Sequence, residues 1–340
     1  MVPPAPVARS RAFRPLRLLG TGVAEPDAWL TSAQLDERLG LAPGTVLARS
    51  GVERRGVVHG RTPAAFLATA ARAAARAAEV SLDSIDGLIA CSASADQAMP
   101  CNAALLHAEL GLGARGSAAF DVNASCLGFL AGLDVAASLI ASGRYRRMLL
   151  CAGDLASRAL DWDDLDASAI FGDGAAAALV EAGDGRVGLR AARFETYSQG
   201  AHLCEIPGGG TRFPPVGAGV DYARLCTFRM DGKGLFRLAA EHLDAFLERL
   251  LDEAECGLDS LDVVVPHQAS RLGLTHVVRR LGLDPERVVD VFARQGNQVS
   301  ASLPSALHAA LADGRLGPGK RALLIGTAAG MTLGGAVLDL

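Results

Sequence analysis

At 340 residues, half of them hydrophobic and 21% charged, the chain has material for a large core or two domains. Aromatics are 5%, so that core is built mainly of Ala, Leu and Val. A net charge of −4 gives no electrostatic case for nucleic-acid or membrane-surface binding, and no run of 18 apolar residues predicts a membrane span. The start, "MVPPAPVARSRAFRPLRLLG", has no continuous apolar stretch and no cleavage signature, and reads as a short lead-in rather than a secretory signal. The seven cysteines form no CxxC pair and no metal-ligand spacing, which argues against a disulfide framework or a structural metal and fits a reducing cytoplasm.

Along the chain, short apolar runs alternate with longer Ala/Leu-rich periodic segments. That pattern predicts an α/β protein with buried strands covered by helices. It also repeats. "LDSIDGLIACSAS" (82–94) resembles "GLDSLDVVVPHQAS" (257–270), and "AASLIASGRYRRMLLCAGD" (136–154) resembles "HAALADGRLGPGKRALLIGTAAG" (308–330). The strands "FGDGAAAALVE" (171–181) and "GMTLGGAVLDL" (330–340) match in turn. Matches that keep their order imply a duplication, with halves at 1–185 and 186–340. "HLCEIPGGGTRFPPVGAGVDY" (202–222) interrupts the second half as a Gly/Pro-rich loop of the kind that shapes a functional surface. An offset of 171 between the halves sets Asn297 opposite Cys126, and an offset of 176 sets His267 opposite Cys91. A pseudo-twofold arrangement then lets Cys126, His267 and Asn297 meet at the centre.

Each of the three carries chemistry. Cys126 follows the strand-like "SAAFDV" and precedes a helix-like run that Gly143 ends. A helix start favours a thiolate, and a thiolate takes up an acyl group as a thioester. His267 closes the strand "LDVVVPH", and Asn297 lies between a glycine and a Ser-rich helix start. Taken singly, a buried cysteine, a structural histidine and a turn asparagine are the commoner fates of such residues.

Seven stretches in order resemble the thiolase-fold condensing enzymes, specifically β-ketoacyl-acyl-carrier-protein synthase III. They are "RSGVERR" (49–55), "DVNASCLGF" (121–129), "FGDGAAAALVE" (171–181), "MDGKGLFRLA" (230–239), "VVPHQAS" (264–270), "GNQVSASLPSAL" (296–307) and "GTAAGMTLGG" (326–335). The resemblance implies two thiolase-like halves in a layered αβαβα architecture, a homodimer, and substrates that are acyl-CoA or acyl-carrier-protein thioesters with no further cofactor and no metal. It makes Cys126 the acylated nucleophile, and His267 and Asn297 the donors that hold the carbonyl of a malonyl-type extender as CO₂ leaves. The N–H groups of Cys126 and Ala329 form the oxyanion hole. The family generally has Gly at the Ala329 position. Non-decarboxylating thiolases carry a second cysteine in the last Gly-rich loop, and "GTAAGMTLGG" has none. Elongating synthases have a second His where Asn297 stands. Chalcone-synthase-like enzymes carry a "GFGPG"-type loop that this chain lacks.

Other positions depart from the family. Thr45 and Leu165 fall where housekeeping members sandwich the coenzyme A adenine between Trp and Arg, while Arg49 remains for a phosphate. Arg237, Arg279 and Arg280 match the basic face that docks an acidic carrier protein, or form an ordinary solvated surface. Met99 either packs in the core or enters a partner's acyl pocket. Asn123 either caps a helix or lines the substrate pocket, and Glu205 is a further pocket candidate. These departures point to a specialised fatty-acid or polyketide pathway. Acyl transfer to a hydroxyl or amine, and a non-catalytic partner subunit, are the competing functions. An α/β-hydrolase reading has no G-x-S-x-G elbow to stand on.

Overall fold

The computed structural model describes residues 13–114, 116–213 and 221–340. The lead-in through residue 12 and residues 214–220 of the Gly/Pro-rich loop lie outside the described residues. Nine strands, numbered here in chain order, make up one hydrogen-bonded sheet: β1 (Arg14–Val23), β2 (Gly87–Ala90), β3 (Ala118–Asp121), β4 (Arg147–Asp154), β5 (Gly174–Ala182), β6 (Gly188–Thr196), β7 (Val263–Pro266), β8 (Arg321–Ala328) and β9 (Thr332–Asp339). Their spatial order is β7-β8-β9-β6-β1-β5-β4-β2-β3. The two ends mirror each other. β2 and β4 run parallel and β5 returns antiparallel on β4, while β7 and β8 run parallel and β9 returns antiparallel on β8. The halves join where β1 meets β6 over two residue pairs, Arg14–Leu189 and Pro15–Gly188.

Alternation along each strand explains the layers. Ile89, Leu150, Val265 and Leu324 face a shared central core, and their neighbours Leu88, Leu149, Val264 and Leu323 face two outer cores. A strand buried on both faces must be apolar throughout, as these are. The first outer layer is α1 (Pro63–Ala77), started by the Thr62 hydroxyl accepting the Ala65 N–H and by Pro63 at the first turn. The second is α3 (Gly232–Glu253), capped by Asp231. The central layer pairs α2 (Gly128–Ala141) with α5 (Ser302–Ala312), and α4 (Arg271–Arg280) lies ahead of α5 in the chain. The result is the α-β-α-β-α stack expected from the sequence.

The duplication shows in side-chain detail. Leu82–Ser84 and Leu258–Ser260 are matching 3₁₀ turns. Asp86 accepts the Arg147 N–H at 2.9 Å, and Asp262 accepts the Arg321 N–H at 2.7 Å. Arg147 reaches Ser84 and Glu181, and Arg321 reaches Ser260 and Asp339. Each arginine ties the start of one strand to the end of the next.

Candidate active site

Cys126 is placed by a side-chain-built turn. Asn123 Oδ1 accepts the Ser125 N–H at 2.8 Å and its Nδ2 donates to Ala93 O at 3.0 Å. This sets Ser125 at φ +51°, a left-handed value that a non-glycine residue adopts only when its surroundings impose it. α2 then begins at Gly128 with Leu127 as its N-cap, so Cys126 stands just outside the helix start. The helix lies very close to the sheet: a Cβ on Gly128 would fall 2.1 Å from Cys91 O, and one on Gly132 would fall 2.4 Å from Cys91 Sγ. Cys91 is thus a packing residue.

The helix start does not win the electrostatic contest at Cys126. Burial pushes the thiol up to about 12, and the nearby Cys204 and Asp154 add to the rise. The N–H groups of Ala329 and of Cys126 itself act in the opposite direction because both point at the sulfur. Cys126 therefore rests as a neutral thiol rather than the thiolate expected from a helix start alone.

His267 follows β7, its N–H donating to Ile325 O at 2.8 Å. Gly326 makes room for it, since a Cβ there would lie 2.5 Å from His267 Cβ. The ring is buried, and Nδ1 has no hydrogen-bond partner among the described residues, leaving Nε2 for the cavity. Burial lowers its pKa to about 4, so the imidazole is neutral through the physiological range. Asn297 is oriented by its own turn. Its Oδ1 accepts the Val299 N–H at 2.9 Å, which identifies the oxygen end and turns Nδ2 to Ala269 O at 3.3 Å. That contact is long, and it leaves a second amide N–H free to donate.

Cys126, His267, Asn297 and Ala329 line one cavity of about 1590 Å³. Ala329 is not among the residues with positive φ; Gly330 at +86° and Met331 at +53° take the turn instead. An alanine at 329 is therefore unstrained. Arg49, Arg237 and Glu205 also line the cavity, Glu205 paired with His202 Nδ1 at 2.7 Å. Arg49 and Arg237 are exposed, which sets them at the open end. Arg279 and Arg280 are exposed at the end of α4 outside the lining, with Arg280 ion-paired to Asp244. Met99 is 83% exposed and also lies outside the lining, so it is not a core residue of its own chain. Thr45 and Leu165 do not line the cavity either.

Two further sequence expectations need correction. Asn123 does not line the cavity; its amide is spent on the turn before Cys126. Asn297 is not the counterpart of Cys126. The strand starts Arg147 and Arg321, and the helix starts Gly128 and Ser302, give an offset of 174, which pairs Asn297 with Asn123 and Ser300 with Cys126. The geometry agrees: each Asn bonds the N–H two residues on, which has φ near +50° (Ser125 +51°, Val299 +53°), and each donates to an alanine carbonyl, Ala93 or Ala269. Cys91 and His267 do correspond, donating to Cys151 O and Ile325 O. The sequence reading missed Cys204, a second thiol in the cavity wall; within "HLCEIP" it carries no motif.

One pH consequence follows. A histidine near 6.5 unfolded and near 4 folded binds its proton first in the unfolded chain, so stability falls as pH drops from 6.5 toward 4. Any step that uses neutral His267 is expected to keep its rate to well below pH 6, with its acid limb near 4. An acid limb at 6.5 that disappears in His267→Asn sinks this expectation; pH–rate profiles beside thermal unfolding measure both.

A duplicated five-layer α/β fold with cysteine, histidine and asparagine around one central cavity defines a thiolase-fold enzyme. The family model for 3-oxoacyl-[acyl-carrier-protein (ACP)] synthase III matches residues 120–200, and that for its C-terminal part matches 251–340. The chain belongs to this family of condensing enzymes. It is 32% identical over 322 residues to the β-ketoacyl-[acyl-carrier-protein] synthase III of Desulfitobacterium hafniense (strain Y51), covering 94% of this chain and 96% of that one. It is 36% identical over 324 residues to synthase III 3 of Streptomyces coelicolor, covering 94% and 96%. The crystal structure of the Pseudomonas aeruginosa synthase III superposes with a TM-score of 0.85 at 32% identity, covering 96% of this chain and 98% of that one. OleA of Xanthomonas campestris, at 22% identity and a TM-score of 0.82, shares the fold over 96% and 99%.

Proposed function

We propose that Cys126 accepts an acyl group as a thioester and that the cavity then condenses it decarboxylatively with a malonyl-type thioester to give a β-ketoacyl product. The observation that carries this is the convergence of Cys126, His267, Asn297 and the Ala329 N–H on one cavity. In the first step the Cys126 sulfur bonds to the acyl carbon, the donor's C–S bond breaks, and the thiol proton leaves with the departing sulfur. The N–H groups of Cys126 and Ala329 hold the oxyanion. In the second step the bond to the carboxylate breaks, and His267 Nε2 and Asn297 Nδ2 hold the enolate oxygen. The carbanion attacks the acyl carbon, and the Cys126 sulfur leaves as a thiolate that takes up a proton from solvent to restore the thiol. A neutral imidazole suits this work, because it donates without a charge of its own to neutralise first.

The starter reaches the cavity on a carrier protein or coenzyme A. Arg49 and Arg237 meet its phosphate arm, with Arg279 and Arg280 on the docking face. The absence of an aromatic–arginine pair at Thr45 and Leu165 supports a specialised pathway. Met99, exposed beside Pro100, fits a role in the acyl pocket of a second copy in a cytoplasmic homodimer. Acyl transfer to a hydroxyl or amine would need His267 as a base, and a pKa near 4 makes it a weak one. Carboxyl-labelled malonyl thioester tests the choice: CO₂ released one-for-one with product is expected, and product without CO₂ overturns the proposal.

A further inference from the structure

The pseudo-twofold relation gives Cys126 a twin, Ser300, and gives Ala328 at the end of β8 a twin, Asp154 at the end of β4. Beside Cys126, the end of β8 continues into Ala329, whose N–H meets the nucleophile's sulfur. The mirrored place holds a lock. Asp154 is 3% exposed, and five donors converge on it. Oδ1 accepts the Ser94 N–H at 2.8 Å and the Ser94 hydroxyl at 2.6 Å. Oδ2 accepts the Ala93 N–H at 3.3 Å, the Ser300 N–H at 3.2 Å and the Ser300 hydroxyl at 2.5 Å. No salt bridge to Asp154 occurs among the described residues, so these donors are what support a buried charge.

The partners belong to two different loops. Ala93 is the residue whose carbonyl holds Asn123 and so the turn that ends in Cys126. Ser300 follows Val299, whose N–H orients Asn297. We propose that Asp154 is the positioning residue that holds the nucleophile's turn in one half in register with the Asn297 turn in the other. The stack itself does not need a carboxylate here, because the twin position is Ala328 and the duplicated strand forms there without one. Asp154 lines the same cavity as Cys126, so its charge also opposes thiolate formation at the nucleophile. Asp96, Asp166, Cys204, Glu205, Asp231, His267 and His276 also line this cavity, as do the cationic Arg49, Arg158, Lys233, Arg237 and Arg271.

This inference rests on the condensing roles of Cys126 and Asn297, but its main readout does not. The pH dependence of iodoacetamide alkylation, followed at Cys126 by peptide mass, reports the thiol alone. In Asp154→Asn the profile is expected to move to lower pH, and CO₂ release from labelled malonyl-CoA is expected to fall by about tenfold to a hundredfold, the scale of an ångström misplacement. Ser300→Ala keeps the charge and removes one tie. It is expected to lower CO₂ release with the alkylation profile in place, and it decides the matter if Asp154→Asn does not fold. A folded Asp154→Asn with an unmoved alkylation profile, or a Ser300→Ala with the wild-type rate of CO₂ release, overturns the proposal. If neither protein nor variant releases CO₂ while the profile still shifts, the fault lies with the condensing role and not with Asp154.

Discussion

Cys126→Ala is expected to abolish the mass increment that the intact protein gains from acyl thioesters and to lower product formation on the order of 10⁴-fold or more, as loss of a covalent nucleophile does. The side chain sits where two N–H groups aim at its sulfur, and alanine retains both of them. The variant should therefore fold, leave the donor site for the extender intact, and still decarboxylate a malonyl thioester. Cys204 shares the cavity wall, so it provides the internal control: Cys204→Ala should acylate as the parent does. An increment that persists in Cys126→Ala and vanishes in Cys204→Ala would transfer the nucleophile's role to the second thiol. Running the same mass measurement over a panel of acyl-CoA and acyl-carrier thioesters identifies the starter.

His267→Ala and Asn297→Ala are expected to separate the two half-reactions. Each removes one neutral donor from the enolate oxygen, a loss of about 10²–10³-fold in condensation, while acylation of Cys126 changes within a few-fold. Val299 and Ser302 anchor the oxygen of Asn297, so the proposed role falls to its NH₂ end. Asn297→Asp keeps the shape and presents an oxygen to an oxygen, so it should be worse than alanine for CO₂ release. Proportional loss of acylation and CO₂ release in all three variants would mean that they disturb the architecture rather than the enolate.

Much of this site was legible in the sequence for a physical reason. A duplicated chain repeats the residues that turn corners, and Asp86 with Asp262 and Arg147 with Arg321 do the same job twice. The repeats located the centre, and the family's motifs located Cys126, His267 and Asn297 there. Asp154 was not legible. Its partners lie 60 and 146 residues away along the chain, and nothing in "CAGD" signals them. The finer offset was also hidden, because Asn123 and Asn297 are recognisable as twins by their hydrogen bonds and left-handed followers rather than by their neighbours in sequence. The resting state of the thiol depends on burial, which no local pattern reports.

That Cys126, His267 and Asn297 line one cavity would, under the proposed reaction, order its events in time. In the proposed reaction the donor's arm and the extender's arm enter through the same end of the cavity, where Arg49 and Arg237 are exposed. On that reading the first carrier departs before the second arrives, and ping-pong kinetics are expected. Between the two visits the protein would stand loaded, holding an activated acyl group in a cavity whose lining includes the exposed Arg49 and Arg237. How long that loaded form outlasts hydrolysis sets the lowest extender concentration at which the enzyme can work efficiently.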